Sequence, residues 1–281
     1  FFMSLKTVLK AKKGDCIICW KTFSGMVAAI LAKKDQRVIS LNWLTPQEND
    51  KWSFLRKIAL NKNNIRVGVN SLKTKEQLIE KYGQDVADRI FYVPDVPEKD
   101  YSFEKIGGER NNYCFTGGIN NRDWKVVYQT AKDLTKHKFV CAASEKYFKE
   151  TMKGTELPLN MKCYFDLSSN EYYEKLKKAY LMVLPLKDER VAGLINVIKA
   201  MEFGVLPLTS KNEAIEQYYP EKLREVLQFE MGNVETLKEK IEELYSISEE
   251  TYAGYIEELR THLIKHFTSD AAIDCIIKQI R

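Results

Sequence analysis

The residues with the most chemical promise fall in two short stretches. In one, the glycine pair Gly117 and Gly118 leads to Arg122 and Asp123; in the other, Lys187, Asp188, Glu189 and Arg190 precede Ala192 and Gly193. An apolar-periodic segment then opens at Leu194, with Asn196 in its first turn. A helix starting there offers unpaired N–H groups and the positive end of its dipole, which together favour an anion. Gly193, lacking a Cβ, would let a phosphate or hydroxyl approach the backbone. A guanidinium just after Gly118 is a fork donor, and a fork suits phosphate oxygens better than a point charge. Plainer readings stand beside these. Ala192-Gly193 could be only a tight turn, Arg122 a surface partner of Asp123 worth little, and the 187–190 charges a solvated loop tip.

Other chemistries lack their residues. The three histidines, His137, His262 and His266, are far from any nucleophile arrangement, and no Ser-His-Asp or Cys-His set is suggested. Cys16 and Cys19 are two of six cysteines and lie in an apolar run with no second Cys-x-x-Cys, so a zinc site lacks ligands. Four of the six fall in strand-like segments, where a reduced cysteine acts as a small hydrophobe, and a reducing cytosol is the simpler home. There is no Asp-x-Asp, and no metal ligand set is expected.

The elements that must position the first-named residues read as follows. From Ala179 to Ser210 the chain runs strand (Leu181–Leu184), loop, helix (Leu194–Phe203), Gly204 and a second strand to Thr209. This βαβ unit puts the loop and helix start at the carboxyl edge of a parallel sheet, where ligands bind. Before it, Tyr113–Thr116, Lys138–Ala142 and Met161–Phe165 read as strands. Trp124–Leu134, Glu145–Met152 and Glu171–Ala179 read as the helices between them. After it come Glu213–Tyr218, a strand-like Val226–Phe229, a helix over Val234–Tyr245 capped near Asn233, and helices over Glu249–His266 and Ser269–Ile280.

The first hundred residues alternate in the same way. Strands are expected at Asp15–Trp20, Arg37–Trp43, Ile65–Val69 and Arg89–Val93. Helices are expected at Ser24–Lys34 with Ser24 as cap, Asn49–Leu60, and Lys75–Tyr82 opened by Thr74. Residues 1–15 read as an amphipathic helix with a basic tail. The expected fold is α/β: two Rossmann-like, doubly wound parallel-sheet domains. Their bounds are 1–98 and 111–265, with a linker at 99–110 containing Gly107-Gly108 and a closing helix, 266–281, packing back on the first domain.

With 281 residues, 44% of them hydrophobic and 30% charged, the chain can bury a substantial core, and no apolar run approaches a membrane span. The net charge of +5 is spread along the chain and permits weak attraction to anionic lipid headgroups or nucleic acid but demonstrates neither. No nucleic-acid partner is expected.

Two segments carry a resemblance. PLKDERVAGLINVIKAMEFGVLPLTS resembles the donor-site segment of nucleotide-sugar glycosyltransferases of the GT-B type, with its Pro-Leu-Lys-Asp loop and a helix ending Ala-Met-x-x-Gly. NYCFTGGINNRDWKVVYQTAKDL is similar to the first β-loop-α of the same nucleotide-binding domain. The likeness points to the retaining, family 4-like branch and implies a transfer from a UDP- or GDP-linked sugar, without metal or cofactor, to a glycan or lipid-linked acceptor in surface polysaccharide synthesis. The cysteine usage points to a cytoplasmic setting, and the charge and basic first helix to peripheral membrane contact.

The same likeness assigns roles. Arg122 would meet the diphosphate, Lys187 or Arg190 would supply a second cation, and Glu189 would stand for the first of two usual glutamates. The second glutamate is replaced by Lys199, leaving Asn196 to hydrogen-bond in its place. Gly117, Gly118, Ala192, Gly193 and Leu194 would line the donor, with Ser144, Asp166 and Leu167 near the base. Such first domains usually begin with a further strand and a Gly-rich loop, so the chain is expected to be a fragment or a shortened form. Trp20, Phe23, Trp43 and Trp52 would line an acceptor cleft or pack in the core. The departure at Lys199 keeps a second reading open, a non-catalytic GT-B-like binding or scaffold protein.

Overall fold

Aliphatic runs too short for helices alternate with amphipathic segments, and the chain folds as strands joined by helices. The computed structural model describes residues 1–44, 51–96, 101–103, 112–190 and 192–280. One unit comprises Phe1–Val96 and Phe267–Arg281, and a second comprises Pro97–His266. Most of the expected 99–110 linker, including Gly107-Gly108, lies outside the described residues, as does the start of the helix expected from Asn49.

The first unit holds α1 (Phe2–Lys10), β1 (Cys16–Cys19), α2 (Thr22–Leu31), β2 (Arg37–Ser40), α3 (Ser53–Leu60), β3 (Ile65–Val69), α4 (Leu72–Tyr82) and β4 (Ile90–Tyr92). Its strands are parallel in the order β1-β2-β3-β4, which steps one way and so makes one wing of a doubly wound sheet. Met26, Val38, Ile65, Val67 and Leu78 lie in its core.

Two helix starts differ from expectation. α2 begins at Thr22, ahead of Ser24, because Gly25 N–H already donates to Lys21 O at 3.0 Å. The cap of α4 is Ser71, whose hydroxyl accepts from Thr74 N–H at 3.3 Å. Of the aromatic residues, Trp43 is fully buried, with Nε1 donating to Ser40 Oγ at 2.5 Å. Trp20 and Trp52 stay exposed, and Phe23 meets Trp52 edge-on at 4.9 Å.

The second unit runs β5 (Tyr113–Gly118), α5 (Trp124–Asp133), β6 (Lys138–Ala143), α6 (Glu145–Thr151), β7 (Met161–Phe165), α7 (Ser169–Lys177) and β8 (Leu181–Leu184). It continues with α8 (Leu194–Glu202), β9 (Leu206–Ser210), α9 (Glu213–Glu216), α10 (Glu221–Arg224), β10 (Gln228–Phe229), α11 (Val234–Ser246) and α12 (Glu249–His266). The strands pair in parallel in the order β10-β9-β8-β5-β6-β7. The chain builds outward from β5 to β7, crosses back through α7, and builds outward again from β8. This is the Rossmann order, and its switch point lies between β5 and β8. The last helix, α13 (Ser269–Ile280), belongs to the first unit, where Arg37 Nη1 donates to Ile280 O. Five cysteines lie on strands, one more than expected, with Cys275 on α13; all six are free thiols. Among the described residues no helix is long and apolar enough to cross a membrane.

Candidate functional site

At the switch point β5 and β8 lie side by side, with Thr116 opposite Val183. The loops leaving their carboxyl ends are tied together. Arg122 and Leu186 form an antiparallel bridge, and Asp123 N–H donates to Pro185 O at 2.9 Å. Asn121, in the left-handed region at φ 54°, donates from Nδ2 to Asp188 O at 3.1 Å and Arg190 O at 3.0 Å. From the far side, Ser210 Oγ accepts from Leu186 N–H at 2.9 Å, and Asn212 Nδ2 donates to Glu189 O at 3.1 Å. The 185–190 loop is therefore held from both sides by short polar side chains.

Arg122 sits in the middle of this arrangement, buried at 7% exposure. Its Nε donates to Gly117 O at 2.8 Å and its Nη1 to Asn120 O at 2.8 Å. Nη2 donates to none of the described residues. A Cβ built on Gly118 would lie 2.6 Å from Nη2, and so would one on Gly193. Both glycines have positive φ, 129° and 88°, so their backbone shape and their missing side chains serve the same guanidinium. The sequence suggested that Gly193 makes room for a ligand; on its Cβ side it makes room for Arg122.

No carboxylate pairs with this cation among the described residues. The Asp123 carboxylate is engaged as the cap of α5, accepting from Val126 N–H at 3.2 Å, so the surface-pair reading does not hold. Burial pushes the Arg122 pKa down to about 10, which leaves it charged at neutral pH. A buried charge without a counter-ion is costly. Gly193 is the N-cap residue of α8 and supplies no side-chain bond, so the helix end adds its own positive field and its free N–H groups. Cation and helix end both call for an anion.

The remaining expected residues are distributed around this centre. Gly117 lies against the Tyr172 ring, where a Cβ would come within 2.5 Å of Cε2. Ala192 and Asn196 are half-buried at the start of α8, whereas the Leu194 side chain is in the core, leaving its backbone as the usable part. Lys187 and Glu189 are exposed, and Lys187 makes no ion pair with the described residues. Arg190 is engaged with Asp188 at 2.5 Å, and that guanidinium holds the Asp188 carboxyl below its ordinary range. Ser144 and Asp166 follow the paired ends of β6 and β7, Ala143 and Phe165, and Leu167 is half-buried beside them. Asp166 has φ 48° and its Oδ2 accepts from Glu145 N–H at 3.4 Å, at the start of α6. None of these three hydrogen-bonds to Arg122. Lys199 pairs with the buried Glu202 at 2.5 Å.

Two residues of the site were not foreseen. Asn121 carries a detectable signal, since asparagine before a helix tolerates the left-handed turn that ties the two loops. Tyr172 carries none, because its surroundings, Ser-Asn-Glu-Tyr-Tyr-Glu-Lys, read as a solvated helix face.

No family model matches the chain, and no curated protein matches it in sequence. Solved structures do. TarM of S. aureus is 14% identical over 99% of this chain and 58% of its own, with a TM-score of 0.72. A glycosyltransferase from Rickettsia africae ESF-5 is 13% identical over 95% of this chain and 76% of its own, at 0.73. The α,α-trehalose 6-phosphate synthase of Burkholderia multivorans is 8% identical over 99% and 72%, at 0.72. A point mutant of TarM has been solved with fondaparinux, α-GlcNAc-glycerol and UDP. The chain thus has the two-sheet α/β fold of the GT-B glycosyltransferases. It spans 58% of the length of TarM.

Proposed function

We propose that this chain transfers a sugar from a nucleoside-diphosphate sugar to a glycan or lipid-linked acceptor, holding the diphosphate between Arg122 and the start of α8. The observation that carries this reading is the buried guanidinium with no carboxylate partner among the described residues, set between two positive-φ glycines at the switch point. As the glycosidic bond breaks, charge grows on the leaving diphosphate. Arg122 Nη2 and the free N–H groups of α8 are in place before that charge appears. Preorganised donors of this kind are worth roughly 10²–10³ in rate each. Lys187, exposed and without an ion pair among the described residues, is better suited than the Asp188-bound Arg190 to close over the donor as a second cation.

The acceptor enters on the face the leaving group vacates, and a diphosphate oxygen takes its proton, so the anomeric configuration is retained. No metal or cofactor is required in this scheme. The nucleotide is UDP or GDP, its base lying towards Ser144, Asp166 and Leu167. The product is a surface polysaccharide made at the cytoplasmic face of a membrane. Helix α1 suits contact with that membrane: Phe2, Met3 and Leu9 are exposed and share a face with Lys6 and Lys10, opposite the buried Ser4 and Val8.

Calorimetry tests the core of the reading. Arg122→Ala should weaken binding of UDP or GDP about 10- to 100-fold, the scale of hydrogen bonds to charged groups, and leave the nucleosides unaffected. Equal diphosphate affinity in mutant and parent would remove Arg122 from the site. A second reading, a non-catalytic GT-B-like scaffold, is favoured by the Lys199–Glu202 pair, which sets a cation where the resemblance expects a carboxylate. Failure of the parent chain to bind UDP, GDP or ADP selects that reading.

A further inference from the structure

Tyr172 stands on α7, the helix that carries the chain back across the sheet from β7 to β8. Its ring meets Phe115 edge-on at 5.1 Å, and a Cβ on Gly117 would lie 2.6 Å from its hydroxyl oxygen. Phe115 and Gly117 are two residues apart on β5 and share a face, so the ring is wedged along the end of that strand. From the other side, the carbonyl of Gly117 takes the hydrogen bond from Arg122 Nε at 2.8 Å. Phenol and guanidinium therefore converge on one residue.

The Tyr172 hydroxyl is buried and has no hydrogen-bond partner among the described residues. A buried polar atom left without a hydrogen bond is costly, and such atoms are rare in native proteins. Packing does not explain it, since phenylalanine would fill the same space. Burial pushes the phenol well above its ordinary pKa, so at neutral pH it keeps its proton and can donate. Arg122 Nη2 is likewise an unused donor. Two unused donors, the phenol against Gly117 and Nη2 against Gly118 and Gly193, ask for a ligand with several acceptor oxygens and no protons of its own to offer.

We propose that the Tyr172 hydroxyl donates a hydrogen bond to a phosphoryl oxygen of the same diphosphate that Arg122 holds, making Tyr172 a binding residue of the donor site. The assignment rests on the donor reading given above, and the test separates the two. Tyr172→Phe removes one oxygen and keeps the ring contacts with Phe115 and Gly117. Titrations of the full chain with inorganic pyrophosphate, UDP and uridine should show pyrophosphate and UDP bound about tenfold more weakly by this variant. Uridine affinity and the unfolding midpoint should not fall. If Tyr172→Phe binds pyrophosphate as the parent does while Arg122→Ala does not, the role of Tyr172 is overturned and the donor site stands. If uridine and UDP weaken together, the hydroxyl acts on the fold and the proposal is again overturned. A parent chain that binds neither pyrophosphate nor any nucleoside diphosphate overturns both readings.

Discussion

A Cβ on Gly118 or Gly193 would lie 2.6 Å from Arg122 Nη2, far inside van der Waals contact. At Gly193 two costs would add: an L-residue in the left-handed region costs about 1–2 kcal/mol, and the guanidinium must move. Gly154 provides the comparison, since it has φ 68° but nothing within 4 Å of the point where a methyl would stand. Gly154→Ala should therefore lose only the backbone part of the stability in urea and bind UDP as the parent does. Gly193→Ala should lose at least as much stability and also bind UDP about tenfold more weakly, because the donor has shifted. Unchanged UDP affinity in Gly193→Ala would mean that the place of the guanidinium does not matter. Residue type and order single out both glycines and Arg122, and the structure brings the three together, with the Cβ side of each glycine given to the guanidinium and not to a ligand. The burial of Arg122 was not legible in the sequence, because Arg beside Asp reads as a surface pair until Asp123 is seen capping α5.

Helix α2 approaches its sheet more closely than its sequence suggests. A Cβ on Gly25 would overlap Ser40 Oγ and Cβ at the end of β2, and Ser40 Oγ also accepts from Trp43 Nε1 at 2.5 Å. Two effects of Gly25→Ala oppose each other. Alanine in a helix interior gains about 1 kcal/mol over glycine, while overpacking a filled interface costs typically 1–3 kcal/mol. With backbone-linked atoms in the way, overpacking should win, for a net loss of about 1–2 kcal/mol and a red shift of Trp43 emission. Adding Ser40→Gly should recover much of the loss. A gain in stability from Gly25→Ala alone would show that α2 stands further from β2. Elements were largely legible: Ile65–Val69, Met161–Phe165, Leu181–Leu184 and the last two helices have the expected bounds. Ser168 and Asn233 also cap as their residue types dictate. Strand order was not legible, because a fully apolar strand has no periodicity that names its neighbour. For the same reason the switch point was located only once β8 was seen beside β5.

The two units differ in how their sheets are completed. In the second, both wings of the Rossmann order extend from β5 and β8, and its helices come from one continuous stretch of chain. In the first, β1 to β4 step one way, and a helix from the far end of the chain, α13, joins them. At that helix and its lead-in Phe267 and Ala272 are buried, Arg37 holds the carbonyl of Ile280, and Ile273 and Ile277 remain exposed. Burying one large apolar side chain is worth about 1.5–3 kcal/mol, so ending the chain after His266 should destabilise the first unit by about 2–3 kcal/mol without unfolding it outright. Native-state hydrogen exchange reads this by element. Amides of Val38, Ile39 and Val67 should exchange about tenfold or more faster, while those of Met182, Val183 and Leu208 should hold their rates. Faster exchange in the second sheet instead would mean that α13 supports the unit that carries Arg122. The donor site would then depend on the chain end, and truncation would weaken UDP binding along with stability.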